Sequence, residues 1–371
     1  MIISRKAFYT GCYVAAVFFL VAYLFLSYQN IYSWAGWLLA LFFVSIAIAF
    51  RGSKSLKGYW YSVLILGVAA IAMYYPHHFK TVGGKDASFF IPFLLQVIMF
   101  GMGTELSLKD FARIMRMPKG VIVGIVCHYT IMPLVGLAVA HMFHFPGEVA
   151  AGIILLGCCP SGLASNVMCY LAKANLALSV SVTTVSTLLA PFLTPLLMKM
   201  LGGSYVEIDF WKMVWDITKI VILPIGAGLA FHYIVRGKLK WLDKAMPVFS
   251  MMGIALVLLV ITAAGRDNLL KVGSLLIVAT FIHNMTGYFL GYWSARVLKF
   301  PEKDCRTIAL EVGMQNAGLA SALAKALGKI ATVGLASVIF GTMMNLTGSL
   351  LANWWHNHPP EEDIKEAELT T

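Results

Sequence analysis

The chain predicts an all-α polytopic membrane fold, and three observations carry that prediction. Of its 371 residues, 60% are hydrophobic and only 12% charged, with a mean hydropathy of +0.81. Soluble domains run at roughly 45–50% apolar and about 25% charged. Uncharged apolar runs recur along the whole chain, and about 20 apolar residues suffice to cross a hydrocarbon core. The basic residues sit in short clusters between those runs. The formal charge of +11 therefore reports membrane orientation, and a nucleic-acid-binding surface is excluded.

Taken in order, the elements begin with two spans. No Asp, Glu, Lys or Arg occurs between Ala7 and Phe50, and a polar segment at 27–33 divides that stretch. The next ten candidates are 59–76, 87–104, 120–141, 149–172, 175–198, 214–235, 245–264, 272–295, 307–327 and 331–355. Twelve spans with the N-terminus inside place nineteen of the 28 Lys and Arg residues in cytoplasmic segments. Both ends are then cytoplasmic, and the positive-inside rule is satisfied. Arg5 and Lys6 precede the first run, but no small-residue cleavage site follows it, so it reads as a retained anchor.

Six cysteines, at 12, 127, 158, 159, 169 and 305, lie in or beside spans; none pairs as an exported disulfide would, and Cys158 and Cys159 read as packed thiols. No linker or soluble domain is expected. Residues 357–371, with Glu361, Glu362 and Asp363, read as a short disordered cytoplasmic tail.

Two irregular stretches interrupt apolar spans: CCPSGLASN at 158–166 and EVGMQNAG at 311–318. Proline removes a helical hydrogen bond and glycine permits unwinding. Backbone freed at membrane depth is tolerated only inside protein or beside a water-filled cavity. Once the first two spans are set aside, ten remain, and each break falls in the fourth span of a set of five. Five is odd, so the two halves run in opposite senses. Interrupted spans at matching places in inverted halves point to a secondary transporter's binding site.

Glu311 strengthens that reading. A carboxylate at such depth costs at least about 2.5–3.5 kcal/mol on insertion scales, and Arg306 belongs at the cytoplasmic edge. A bound cation is the natural counter-charge. Oxygen donors nearby are Gln315, Asn316 and the carbonyls freed around Val312 and Met314, with Ser165 and Asn166 on the other break. Ser179 and Thr183 share one face of the following helix, being four residues apart. Hard oxygen donors suit an alkali cation and not zinc or copper.

These residues resemble the bile acid:sodium symporter family, in a bacterial member of it. The strongest matches are GCCPSGLASNVMCYLA (157–172), NLALSVSVTTVSTLLAPFLTP (175–195) and EVGMQNAGLASALA (311–324). Weaker ones are IMFGMG from Ile98 and HNMTGYFLG from His283. The resemblance spans about residues 59–355. It implies ten helices in two inverted five-helix repeats, with two discontinuous helices that cross. Residues 58–116 and 210–265 would form a panel domain, and 119–200 and 271–356 a core domain that carries transport. Residues 1–57 would hold two further helices.

The resemblance also assigns a site. One sodium would lie among Ser165, Asn166, Ser179, Thr183 and Glu311. A second would meet Glu311, Gln315 and the carbonyls of Val312 and Met314. A substrate anion would meet the broken-helix termini at Ser161, Gly162, Leu163 and Ala164, and Asn316; helix N-termini favour anions. The implied function is sodium-coupled import of an organic anion across the bacterial inner membrane.

Three departures stand out. His128 occupies the place where the family pattern puts a glutamine of the second sodium site. Imidazole is a poor sodium ligand and a good proton acceptor. A second sodium, a proton in its place, or a histidine that merely packs beside the site all remain open. Ser161-Gly162-Leu163 stands where Gly-Gly-Thr is usual, which removes a threonine hydroxyl from the crossing. The two N-terminal spans are additional, and being even in number they leave the orientation of the rest unchanged.

The remaining candidates read as structural. His77 and His78 belong to the solvated outer edge. His141 and His144 lack a third ligand. His283 and Asn284 should hydrogen-bond a neighbouring helix, and Trp354 and Trp355 should sit in an interfacial belt. A membrane enzyme would need paired acids, a metal cluster or an activated nucleophile, and a channel would need rings of charge or a filter sequence; the sequence displays neither set. The substrate is expected to be a small hydroxylated carboxylate, pantoate-like, with a bile-acid-like anion as the alternative.

Overall fold

The computed structural model describes residues 5–53, 56–106, 117–235 and 240–360. Expected cytoplasmic cations at 54, 109, 113, 116, 236, 238 and 365 fall outside these ranges, as does the tail from 361 onward. The chain begins with α1 (Arg5–Tyr28) and α2 (Tyr32–Phe50), followed by α3 (Trp60–Tyr74), a short α4 (Pro76–Lys80), and a hairpin of β1 (Thr81–Val82) and β2 (Lys85–Asp86). Then come α5 (Ile91–Glu105), α6 (Pro118–Met142), α7 (Gly147–Cys158), α8 (Ala164–Leu171) and α9 (Leu176–Leu197). The second part holds α10 (Phe210–Ile217), α11 (Leu223–Val235), α12 (Lys240–Val297), α13 (Glu302–Gly313), α14 (Ala317–Ala326) and α15 (Gly334–Asn357). It is an all-α, multi-pass membrane protein.

Nine helices among the described residues are long and apolar enough to cross a bilayer. One of them is α12, an uninterrupted helical run of 58 residues where the sequence predicts two spans and a connection. Its contacts reveal that the chain reverses within it. The Tyr61 hydroxyl donates to the Met251 carbonyl and Arg266 Nε to the Met73 carbonyl, so the first half runs alongside α3 in the same sense. In the second half Asn284 meets Gly313 and Tyr292 meets Glu302, so it runs against α13. The starts of α3 and α13 lie on one side, because Tyr59 bonds Asn353 while Arg306 bonds the carbonyls of Trp355 and His358. No proline interrupts residues 265–271, and Arg266 and Asn268 tie the bend to Met73 and Ala331. With α12 counted as two crossings, α10 and α11 as one continuous span (Phe210–Val235), and the broken pairs α7/α8 and α13/α14 as one each, the structure reaches the twelve expected.

The helices pack as two groups. One gathers α3, α5, α11 and the first half of α12; the other gathers α6 to α9, α13 to α15 and the rest of α12. The two N-terminal helices add a layer outside the first group, with α1 on α2 and α2 on α3. The Tyr75 hydroxyl accepts from the Trp37 amide at 3.2 Å and donates to the Ser33 carbonyl at 2.8 Å, while the Tyr23 and Tyr74 hydroxyls lie 3.0 Å apart. Phe8, Val14, Phe18 and Phe25 of α1 remain exposed, as a lipid-facing surface requires.

Two terminal details differ from expectation. His358 accepts from Arg306 Nη2 at 2.9 Å, so the chain stays attached just beyond the 357 boundary where the tail should begin. Trp354 is exposed as a belt residue should be, but Trp355 is buried, stacked on Tyr292 and beneath the Arg306 guanidinium. An arginine near the end of a span recruits an aromatic face and backbone carbonyls in preference to lipid.

Candidate functional site

The two breaks meet. Helix α7 ends at Cys158, and α8 starts at Ala164 after an extended stretch; α13 ends at Gly313, and α14 starts at Ala317. Between them the unwound segments pair as a short antiparallel bridge at Ser161 and Gln315. The Gly162 amide donates to the Met314 carbonyl at 3.2 Å and the Asn316 amide to the Pro160 carbonyl at 2.8 Å. Backbone groups orphaned by one break are thus satisfied by the other, which is how irregular chain survives at this depth. A Cβ on Gly162 would lie 2.6 Å from the Gln315 carbonyl oxygen, so only glycine fits.

Beside this crossing lies a cluster of oxygens from the buried Ser165, Ser179, Thr183 and Glu311 and the half-buried Asn166. Glu311 Oε1 accepts from the Ser165 and Ser179 hydroxyls, each at 2.6 Å, and Oε2 accepts from Thr183 at 2.8 Å. Asn166 Oδ1 sits 2.7 Å from Ser179 Oγ and 3.3 Å from Thr183 Oγ1. Ser165 Oγ also approaches the Gly162 carbonyl at 2.8 Å. Three hydroxyls carry three protons, yet they make six such approaches to acceptor oxygens. Half of those contacts therefore set lone pairs against lone pairs, an arrangement that a cation would relieve. Among the described residues no Lys or Arg side chain pairs with Glu311, and Arg306 turns instead to Glu302 at 2.8 Å.

The other predicted residues lie at the same crossing. Gln315 is buried, its Nε2 donating to the Val312 carbonyl at 2.9 Å while its Oε1 has no partner. The Met314 carbonyl already accepts from Gly162 and, at 3.3 Å, from the Ser161 hydroxyl. The buried His128 ring spans both broken helices, with Nε2 2.8 Å from the Cys159 carbonyl and Nδ1 3.0 Å from that of Glu311. Ser161 and Gly162 are buried, whereas Leu163, Ala164 and Asn316 are half-buried. Asn316 caps α14 by accepting from the Leu319 amide at 2.9 Å.

The profile of the sodium bile acid symporter family matches residues 92–272. An uncharacterized sodium-dependent transporter of Bacillus subtilis is 40% identical over 306 residues, or 82% of this chain and 93% of that protein. The chain belongs to the sodium bile acid symporter family. More distant members include a probable chloroplastic sodium/metabolite cotransporter of Oryza sativa subsp. japonica, 32% identical over 81% of this chain and 73% of its own length. The ileal sodium/bile acid cotransporter of Oryctolagus cuniculus is 34% identical over 66% of this chain and 72% of its own. The family comprises sodium-coupled transporters and not enzymes. Among the described residues there is no group of three or more His, Cys, Asp or Glu that could hold a metal ion.

Some supports of the site escape sequence reasoning. Thr194 donates to the Cys158 carbonyl at 2.8 Å and so closes the end of α7. Ser161 faces the Glu311 oxygen cluster as well as the termini, 3.3 Å from Ser165 Oγ. Thr347 joins Asn284 behind the second break. Thr194 sits beside Pro195, and Thr347 between Leu346 and Gly348, but sequence spacing alone does not pair either with its acceptor in a remote helix.

Proposed function

We propose that this protein is a sodium-coupled symporter that imports a small organic anion by alternating access. The observation that carries the reading is the proton shortage around Glu311: a buried carboxylate of α13 faces three hydroxyls and an amide oxygen from α8 and α9. One sodium held by Ser165, Asn166, Ser179, Thr183 and Glu311 would neutralise the charge and tie these three helices together. The anion would then meet an organised crossing, at Ser161, Gly162, Leu163 and Ala164 beside the start of α8 and at Asn316 beside α14, where the helix dipoles favour negative charge. Inward sodium movement supplies about 2.3 kcal/mol per charge per 100 mV, besides its concentration gradient.

On this reading the group holding the broken helices is the moving core, and α3, α5, α11 and the first half of α12 form the panel against which it shifts. The protein would reside in a bacterial inner membrane with both termini cytoplasmic. The substrate on this reading is a pantoate-like carboxylate, with a bile-acid-like anion as the alternative; relatives are named for bile acids and for metabolites.

A second reading has its own support. The second sodium would use Glu311, Gln315, Val312, Met314 and His128. The Val312 and Met314 carbonyls are already hydrogen-bonded, and the His128 ring spans the two breaks. These contacts favour coupling to a single sodium. The test is binding of pantoate-like and bile-acid anions to purified protein at graded sodium, with choline replacing it at constant ionic strength. Binding that requires sodium with a Hill slope of one supports one ion, and a slope above one supports two. His128→Gln, which supplies the amide oxygen of the family pattern, should raise a slope of one. Anion binding indifferent to sodium would overturn the symporter reading.

A further inference from the structure

Behind the second break lies a buried polar chain that runs from Gly313 through Asn284 to Thr347. Gly313 is the last residue of α13, so its carbonyl has no partner within the helix. Asn284, fully buried on the second half of α12, donates to that carbonyl through Nδ2 at 2.8 Å. Thr347 of α15 donates to Asn284 Oδ1 at 2.5 Å. The Gly313 carbonyl fixes the amide's sense: the reverse orientation would set Oδ1 against that carbonyl oxygen. The contact is tight as well, because a Cβ on Gly313 would lie 2.2 Å from the Tyr288 ring.

We propose that Asn284 is a positioning residue for the cation site, setting sodium affinity without contacting the ion. This rests on the sodium reading of the Glu311 cluster. Gly313 lies between Val312 and Met314 and two residues after Glu311. By holding its carbonyl towards α12, Asn284 fixes the direction of the peptide that links α13 to the extended Met314 segment. Rotation of that peptide would swing the Met314 carbonyl away from Gly162 and Ser161, and would release the end of the helix that presents Glu311. The geometry of the oxygen cluster therefore depends on a hydrogen bond made on the opposite face of α13.

The test compares wild type with Asn284→Leu, similar in bulk but without a donor, and Thr347→Val, which keeps shape but removes the hydroxyl bonded to Asn284 Oδ1. The full chain is purified in detergent, and its thermal midpoint is followed against sodium concentration at constant ionic strength. A lost hydrogen bond of ordinary strength predicts about a tenfold rise in the half-stabilising sodium concentration for Asn284→Leu, and a smaller rise for Thr347→Val. The KM for the anion at saturating sodium should be unchanged. If the sodium-free midpoint falls while the half-stabilising concentration stays at the wild-type value, Asn284 is only a packing residue and the proposal fails. If Asn284→Leu does not fold, Thr347→Val decides by the same criterion. A wild-type protein that sodium does not stabilise overturns the sodium reading itself, which distinguishes that failure from this one.

Discussion

At the scale of single residues, Glu311 is costly to bury and its position is explained only by what it gathers. Hydrogen bonds to a charged group are worth about 1.5–3 kcal/mol, so removing one hydroxyl should weaken a cation-binding cluster measurably. Ser179→Ala is expected to raise the sodium concentration for half-maximal uptake about tenfold or more, measured by radiolabelled anion uptake in proteoliposomes. Glu311→Gln keeps the shape of the side chain but removes the charge, and should abolish the sodium dependence of anion binding. Gly162→Ala tests the crossing itself. Its Cβ would meet the Gln315 carbonyl at 2.6 Å, so the paired segments must separate. The variant should still insert, with transport lost; wild-type uptake by it would show that the bridge is not needed.

At the scale of elements, the breaks work as a pair because each satisfies the other's backbone, and neither would be stable in lipid alone. A second element, the hairpin of β1 and β2, links the two helix groups at a distance from the crossing. Lys325, at the end of α14, bonds the Ser88 hydroxyl and lies 3.5 Å from Asp86 Oδ2. Partial burial pushes the Asp86 carboxyl up, but hydrogen bonds from the Ser88 hydroxyl and amide, with the Lys325 charge, together hold it below its ordinary value. A depressed carboxylate contributes stability that is present above its unfolded-state value and is lost as pH falls through the folded one. The difference in thermal midpoint between wild type and Asp86→Asn should therefore be largest near neutrality and shrink on acidification from about pH 5 to pH 3. A difference independent of pH would remove the charge from the explanation.

At the scale of the whole molecule, α1 and α2 form an outer layer whose hydrogen bonds run to Tyr74 and Tyr75 at the end of α3. They share no partner with the Glu311 cluster, and effects of distant sites without shared partners are nearly independent. A chain starting at Ser53 should therefore keep its sodium affinity within about twofold of the full protein. It should also melt at a lower temperature, since the face of α3 under α2 becomes exposed. Sodium titration of both proteins checks this; a large loss of sodium affinity would tie the extra helices to the transport cycle.

The sequence by itself determined the membrane class, the twelve crossings, the two breaks and the need of Glu311 for oxygen partners; which oxygens gather there was implied by the family resemblance. The first four follow from local rules: hydrophobic length and the costs of proline, glycine and buried charge, to which helical spacing adds only that Ser179 and Thr183 share a face. Only the tertiary structure decided how distant segments satisfy one another. It brought Ser161 to Gln315, set His128 between two carbonyls, turned Trp355 inward onto Arg306, and carried helical structure through the reversal of α12. The physical reason is that a freed carbonyl needs a donor but does not specify which one. The carbonyls of Cys158 and Gly313 are predictable orphans once the breaks are seen. That Thr194 and Asn284 answer them depends on how helices pack across sequence separations of 36 and 29 residues, over which periodicity carries no information.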